Sequence, residues 1–440
     1  MQQEKTLSIG PVWYRMIPDS HAEVIGCLPF IENITIPPMI EHIPVTGIAE
    51  QAFAGCSALS RITLPDSVGQ IGKEAFRGCE KLRTFRFPNQ LRILEESCFA
   101  QCFQLRNAVF PDTLETVGAY AFKDCISLME VSLGKGCREI APTAFQECPS
   151  LTAFHVPQEN EFFSAEEGIL YNYDKTMLLR CPETRDRAVF LDADTEFIPD
   201  AFDRCMKLPA IYADDNHPTY GSWDGVLYDK EGTTLMMLPQ GRRKPLQLLE
   251  CVIDISERAL DQSFVPVMQV ADNVIDFAWI DCCSLPRFEV SEYNPAFSDV
   301  DGVLYDKEQT VLIACYGAFH GTLVLPETVT MIDCGAVSGC GGVTEVILPE
   351  GLFLIDHAAF ASCTALREAD IPQSVTTIGD EAFLSCFSLE AVRIAGMDVE
   401  IGEDAFLGCL NLTIYAPQGS TAEAYAKEHE IPFRCLEEAQ

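Results

Sequence analysis

The sequence predicts a repeat solenoid built mainly of β-structure, with inserted β-hairpins and a short C-terminal capping helix. Three observations lead there. An Ala-aromatic pair, or a close variant, is followed three residues later by Cys eleven times along the chain. Most copies are spaced 23 residues apart. Each copy carries the same apolar pattern, too small to bury itself alone. A fixed period of this length marks coils that bury their apolar faces only against their neighbours.

The copies read Ala52-Phe53…Cys56, Ala75-Phe76…Cys79, Cys98-Phe99…Cys102, Ala121-Phe122…Cys125 and Ala144-Phe145…Cys148. They resume at Ala201-Phe202…Cys205, Ala278-Trp279…Cys282, Ala336-Val337…Cys340, Ala359-Phe360…Cys363, Ala382-Phe383…Cys386 and Ala405-Phe406…Cys409. From one aromatic position to the next the step is 23 four times, then 57, 77 and 58, then 23 three times.

Taken in order, residues 1–30 read as an N-terminal cap in which Trp13–Ile17 and Ala22–Ile25 form two strands over the first coil. Residues 31–158 are regular coils. In one of them, Leu59-x-x-Ile62-x-Leu64 alternates around polar Thr63 as a half-buried strand does. Pro65 then ends the ladder because it has no N–H to donate. Val68-x-x-Ile71 forms a second apolar segment, and Gly72 allows the turn toward the next Phe. Residues 159–330 are irregular. There Gly168–Tyr171, Gly225–Tyr228 and Gly302–Tyr305 each precede a polar turn and a second β-rich run, which predicts three inserted hairpins. The step of 77 also hides a degenerate coil at Ala259-Leu260…Ser263. Regular coils return over 331–415. In the last segment, 416–440, Ser420 and Glu423 form a capping box that opens a helix through Tyr425 to about His429. The whole chain is expected to be one domain.

The repeat resembles the BspA-type leucine-rich repeat: Leu366-x-x-Ala369-x-Ile371-Pro372-x-x-Val375-x-x-Ile378-Gly379-x-x-Ala382-Phe383-x-x-Cys386 follows that family's pattern almost position for position. The resemblance runs from about residue 30 to 435. It implies a curved, right-handed leucine-rich-repeat β solenoid with a parallel strand on one face. It also implies binding or adhesion, without specifying one ligand.

With 66 acidic against 30 basic residues, the net charge is −36. That argues against nucleic acid or an anionic membrane as partner. The acidic surface is read as keeping a long solenoid soluble. Calcium on Asp299, Asp301 and Asp306 is the sharper alternative, but the run lacks the Asp-x-Asp-x-Asp-Gly spacing, so neither metal nor cofactor is expected.

Of twenty Cys, eleven recur at one repeat position and read as small core residues with a weak S–H donor. The other nine, Cys27, Cys98, Cys137, Cys181, Cys251, Cys283, Cys315, Cys334 and Cys435, show no regular pairing. No Cys-x-x-Cys occurs, so a zinc ribbon has no support. Reduced core thiols are expected, which favours a reducing compartment or an anaerobic source. The first residues show no basic segment followed by an apolar run, so a cytoplasmic location is expected, or a secreted or cell-surface one if the N-terminus is truncated. No window of 18 apolar residues occurs, so no membrane insertion is expected. A monomer is expected.

Motifs of zinc proteases, serine hydrolases and phosphate-binding loops are missing. The seven His, at 21, 42, 155, 217, 320, 357 and 429, show no metal-ligand spacing, and His155 should point outward from its strand. The chain is therefore not expected to be an enzyme, the remaining enzymatic reading being a site in the irregular middle. The strand face says more. Arg61, Arg83, Arg86 and Arg106 fall at outward positions of three adjacent rungs, which suggests docking of an anionic protein patch or an acidic glycan. The alternative is that nearby Asp and Glu neutralise them. Tyr212 and Ile347 also face outward on this reading. The sequence thus reads as a non-catalytic binding protein that presents its strand face to a protein or glycan, with an intracellular scaffold as the alternative.

Overall fold

The computed structural model describes residues 5–17, 20–256, 259–260, 265–275 and 285–436. They form a mostly β solenoid of about 17 turns with one helix near the C-terminus. The chain divides into two compact units, Met1–Leu208 and Pro209–Gln440.

In the first unit the cap has three antiparallel strands rather than the predicted two: Lys5–Ile9, Val12–Ile17 and His21–Cys27. The third pairs parallel with Ile43–Ile48 and so starts a ladder. That ladder continues through the short strands Gln70–Ile71, Ile93–Leu94, Thr116–Val117 and Glu139–Ile140. A second ladder forms where Ile62 and its equivalents point inward. Asn33–Thr35 pairs with Arg61–Thr63, and Glu130–Ser132 lies between Asn107–Val109 and Ala153–His155 and pairs with both. Between these groups, residues 82–87 form no regular strand; there Phe85 and Phe87 fill successive inward positions, edge to face at 4.8 Å.

A third ladder runs through the Ala-Phe loops. Phe53 N–H donates to the Ala75 carbonyl at 2.7 Å, and Phe76 N–H to the Cys98 carbonyl at 2.8 Å. This brings the rings into a near-parallel stack: Phe53–Phe76 and Phe76–Phe99 lie 5.0 Å apart, Phe99–Phe122 5.4 Å and Phe122–Phe145 5.3 Å.

The recurring Cys has a defined partner. Cys79, Cys102, Cys125 and Cys148 each donate S–H to the carbonyl of the Phe one coil earlier, at 3.2 or 3.3 Å. That carbonyl also accepts the N–H of the Cys in its own coil, as Phe53 does from Cys56 at 3.1 Å. Both lone pairs of a buried acceptor are therefore used. Every described cysteine is a free thiol.

The three predicted hairpins are present, and each is preceded by a further antiparallel strand, so that every insertion is a three-stranded meander. In the first unit the strands are Phe163–Glu166, Ile169–Asn172 and Met177–Arg180. In the second unit they are Tyr220–Trp223, Val226–Asp229 and Thr234–Met237, then Phe297–Val300, Val303–Asp306 and Val311–Ala314. The tight turns Glu167-Gly168, Asp224-Gly225 and Asp301-Gly302 have positive φ at both residues, the geometry that matches strand twist. Each third strand pairs parallel with the next coil, at Glu196–Phe197, Asp254–Ile255 and Met331–Ile332. The insertions are thus rungs of the solenoid themselves. Asp306 accepts from Thr310 and Val311, and Asp299 from the Val290 N–H, so these two calcium candidates are engaged in turns.

The second unit ends in regular coils with two parallel ladders. One joins Gly321–Val324, Val343–Ile347, Glu368–Ile371, Ala391–Ile394 and Thr413–Ala416; the other runs from Met331–Ile332 to Glu400–Ile401. Phe360, Phe383 and Phe406 stack at 5.1 and 5.2 Å. The helix Thr421–Glu428 begins at Ser420, whose hydroxyl accepts the Glu423 N–H. The Glu423 carboxylate reaches back to the Gly419 N–H at 2.6 Å, one residue before the position a capping box predicts. Tyr425 closes the ring stack edge-on against Phe406 at 5.9 Å. The terminal segment is not purely helical: Phe433–Cys435 adds a parallel strand beside Thr413–Ala416. Ala259 and Leu260 of the degenerate coil are buried. Ser263, the Ala278-Trp279…Cys282 copy and Cys283 lie outside the described residues.

Candidate functional site

On the strand face of the first unit, inward Ile62 turns its neighbours Arg61 and Thr63 toward solvent. The 23-residue step puts Arg83, Arg106, Met129 and Thr152 in one column. Backbone bonds link it, from Arg106 N–H to Arg83 O at 3.2 Å, Met129 N–H to Arg106 O at 2.7 Å and Thr152 N–H to Met129 O at 2.8 Å. Arg61 and Arg86 stand in two other columns. The four predicted Arg are therefore all exposed on adjacent coils, but only Arg83 and Arg106 sit directly one above the other.

Their partners differ. Arg86 lies 3.1 Å from Asp66. The Asn89 backbone N–H and that guanidinium hold the Asp66 carboxyl below the usual carboxylate range. Arg83 donates through Nε to the Gln104 side chain at 2.8 Å. Among the described residues, Arg61 and Arg106 have no ion pair. Among the described residues, a carboxylate thus pairs with Arg86, whereas Arg83 is held by a neutral carboxamide. Exposed Val109, Ile126 and Met129 stand on the coils alongside, so this face mixes guanidinium and apolar surface. His155 points outward as expected, 3.7 Å from Glu130.

On the strand face of the second unit, one arginine is compensated by its neighbours. Arg393 bridges Glu368 at 2.7 Å and Asp370 at 3.0 Å and lies 5.6 Å from the Tyr415 ring centre. Ile347 is exposed, whereas Tyr212 is only half-exposed.

Sequence reasoning missed what the meanders carry. In the first, Glu166, Tyr171, Arg185 and Phe190 help line a cavity of about 360 Å³. In the second, Trp223, Tyr228, Arg242, Gln247 and Gln269 help line one of about 630 Å³. In both, an Arg clamps the carboxylate of the tight turn at 2.6 Å, Arg185 on Glu167 and Arg242 on Asp224. No His lines either cavity. Beside the first, Arg180 and Glu183 form a buried ion pair at 3.2 Å, and Glu183 accepts the Cys148 N–H at 2.9 Å. Burial raises the Glu183 carboxyl above its ordinary value despite these partners.

A buried Asn160, His217 or Asn294 opens each meander and accepts backbone N–H bonds from the residues two and three positions on. Their common spacing to Phe163, Tyr220 and Phe297 was the signal available in the sequence. Among the described residues, no group of three or more His, Cys, Asp or Glu is arranged to hold a metal ion. Nor is any helix among them long and apolar enough to cross a membrane.

The family model for the BspA type leucine rich repeat region matches residues 46–167 and 314–421 in six copies. No curated protein matches the chain. Among solved structures it is similar to the leucine-rich repeat protein TpLRR of T. pallidum, at 27% identity over 47% of this chain and 81% of that one, with a TM-score of 0.35. A leucine-rich cell surface protein of Faecalibacterium prausnitzii is 19% identical, covering 97% and 98% of the two chains, TM-score 0.40. A leucine-rich repeat protein of Eubacterium ventriosum is 17% identical over 86% and 93%, TM-score 0.45.

Proposed function

The chain belongs to the BspA-type leucine-rich repeat family, and we propose on that footing that it is a non-catalytic protein-interaction solenoid whose N-terminal strand face receives an acidic segment of a protein partner. One observation carries this reading: Arg83 and Arg106 are stacked on adjacent coils, with Arg61 nearby, in a chain of net charge −36. Like charges on neighbouring rungs are mildly unfavourable, so a compensating ligand stabilises them. Guanidinium groups engage carboxylates bidentately, and Met129 and Val109 add apolar contact beside them. Adhesion is the form of this role that the family suggests. A second reading, an intracellular scaffold using the same face, is favoured by the repeat Cys serving as buried S–H donors to the Phe carbonyls, a role that uses the thiol form.

The test uses poly-L-glutamate as the acidic probe at low ionic strength. The intact chain should bind it, and R83E/R106E should weaken binding at least about tenfold, roughly 1.4 kcal/mol, with an unchanged melting temperature. Equal affinity of the two proteins would remove this face from consideration.

A further inference from the structure

We propose that the cavity of the second meander is a binding site for a neutral pyranose sugar, at the end or within a short glycan. This site is separate from the Arg face and does not depend on it. The argument begins with Trp223. Its indole lies over Gly221, where an added Cβ would come within 2.5 Å of a ring carbon, and an added Cβ on Gly232 would meet the ring at 3.4 Å. The edge of the ring meets Tyr228 at 5.6 Å. The indole is thus held in one orientation, yet 41% of the residue remains exposed at the mouth of the cavity. A fixed, partly open aromatic face suits the C–H-bearing face of a pyranose ring.

Opposite chemistry stands on the neighbouring coils. Gln247 and Gln269 are register partners on adjacent parallel strands, and both are exposed. Gln269 is oriented by Glu289, its own register partner, at 3.2 Å. The carboxamide of Gln247 has no protein partner among the described residues. A carboxamide offers both donor and acceptor, which matches vicinal hydroxyls. The wall charge nearest the tryptophan is already compensated: Arg242, 6% exposed, holds Asp224 at 2.6 Å. Glu250 also lines the cavity, so a neutral ligand fits better than an anionic one. The volume of about 630 Å³ is in the range of small-ligand sites.

The other two meanders serve as internal comparison. Where the second has Trp223, Gln247 and Gln269, the first has Glu166, Phe190 and Tyr212, and the third has Val300, Val324 and Ile347. The backbone module is shared, whereas the tryptophan-carboxamide set is found only in the second. That separates a ligand role from a requirement of the module.

Saturation-transfer NMR on the full chain tests this with maltotriose, cellotriose, chitotriose and the methyl glycosides of glucose, galactose and mannose. At least one should receive saturation on its ring C–H protons and bind with a Kd on the order of 1 mM. Trp223→Ala should abolish transfer, and Gln247→Ala, a surface change that leaves the core intact, should weaken binding about fivefold. R83E/R106E should bind sugar like wild type. The proposal is overturned if none of the six sugars shows transfer, or if binding survives unchanged in both W223A and Q247A.

Discussion

A backbone carbonyl has two lone pairs, and inside a coil only one is met by the turn's own N–H. The repeat Cys meets the other. Alanine would leave the acceptor half-used, and a branched apolar residue would add volume where the Phe stack leaves little. Reactivity follows from the same geometry, because thiolate is the nucleophile and burial disfavours it. Burial pushes the Cys137 thiol up to about 12 and holds Cys102 and Cys125 well above their ordinary value. Cys251, in contrast, is exposed. Iodoacetamide at mildly alkaline pH should therefore label Cys251 first among the described thiols, and Cys102 or Cys125 only after denaturation. Mass spectrometry of timed digests checks this; equal rates at Cys251 and Cys125 would contradict the hydrogen-bonded core thiol.

The first meander contains a substitution experiment already performed by the second. Arg180 and Glu183 correspond to Met237 and Gln240, 57 residues on. Buried ion pairs are often replaceable as a pair but not singly. Glu183→Ala should destabilise by about 3–5 kcal/mol, since it strands a buried guanidinium, whereas R180M/E183Q should stay within about 1 kcal/mol of wild type. Urea melts distinguish the two outcomes. Because the folded-state pKa of Glu183 is raised, its contribution is most favourable below the unfolded carboxylate pKa and is lost as pH rises through the folded value. The double variant should therefore gain on wild type as pH goes from acid to neutral. The regular coils were legible because Ile62, Leu64, Phe53 and Cys56 recur at fixed phase. The first strand of each meander was not: Phe163–Glu166, Tyr220–Trp223 and Phe297–Val300 are short and rich in Ser, Gly and acidic residues, so they lack the alternation of a half-buried strand. The Arg face was readable as residues. Which Arg carries a neutralising partner was not, because Asp66 and Gln104 act across coils. The tryptophan-carboxamide cavity joins residues from two coils and a turn, a juxtaposition that no local pattern encodes.

At the scale of the whole chain, a charge of −36 opposes compaction through self-repulsion. Salt screens such repulsion over a Debye length of about 8 Å at physiological ionic strength. The melting temperature should rise by several degrees between very low and physiological salt, while binding of poly-L-glutamate falls over the same range. Differential scanning calorimetry checks the first; a flat profile would mean that the acidic side chains are already well compensated. The regular coils have one more consequence. The ring stack, the thiol bond and the backbone ladders of a regular coil reach only to the adjoining coil, 23 residues away. Excision or duplication of one entire coil would hand each surviving group an equivalent partner. Unequal recombination could therefore lengthen or shorten such a protein without passing through an unfolded intermediate form of the gene product, and would shift which outward side chains become neighbours.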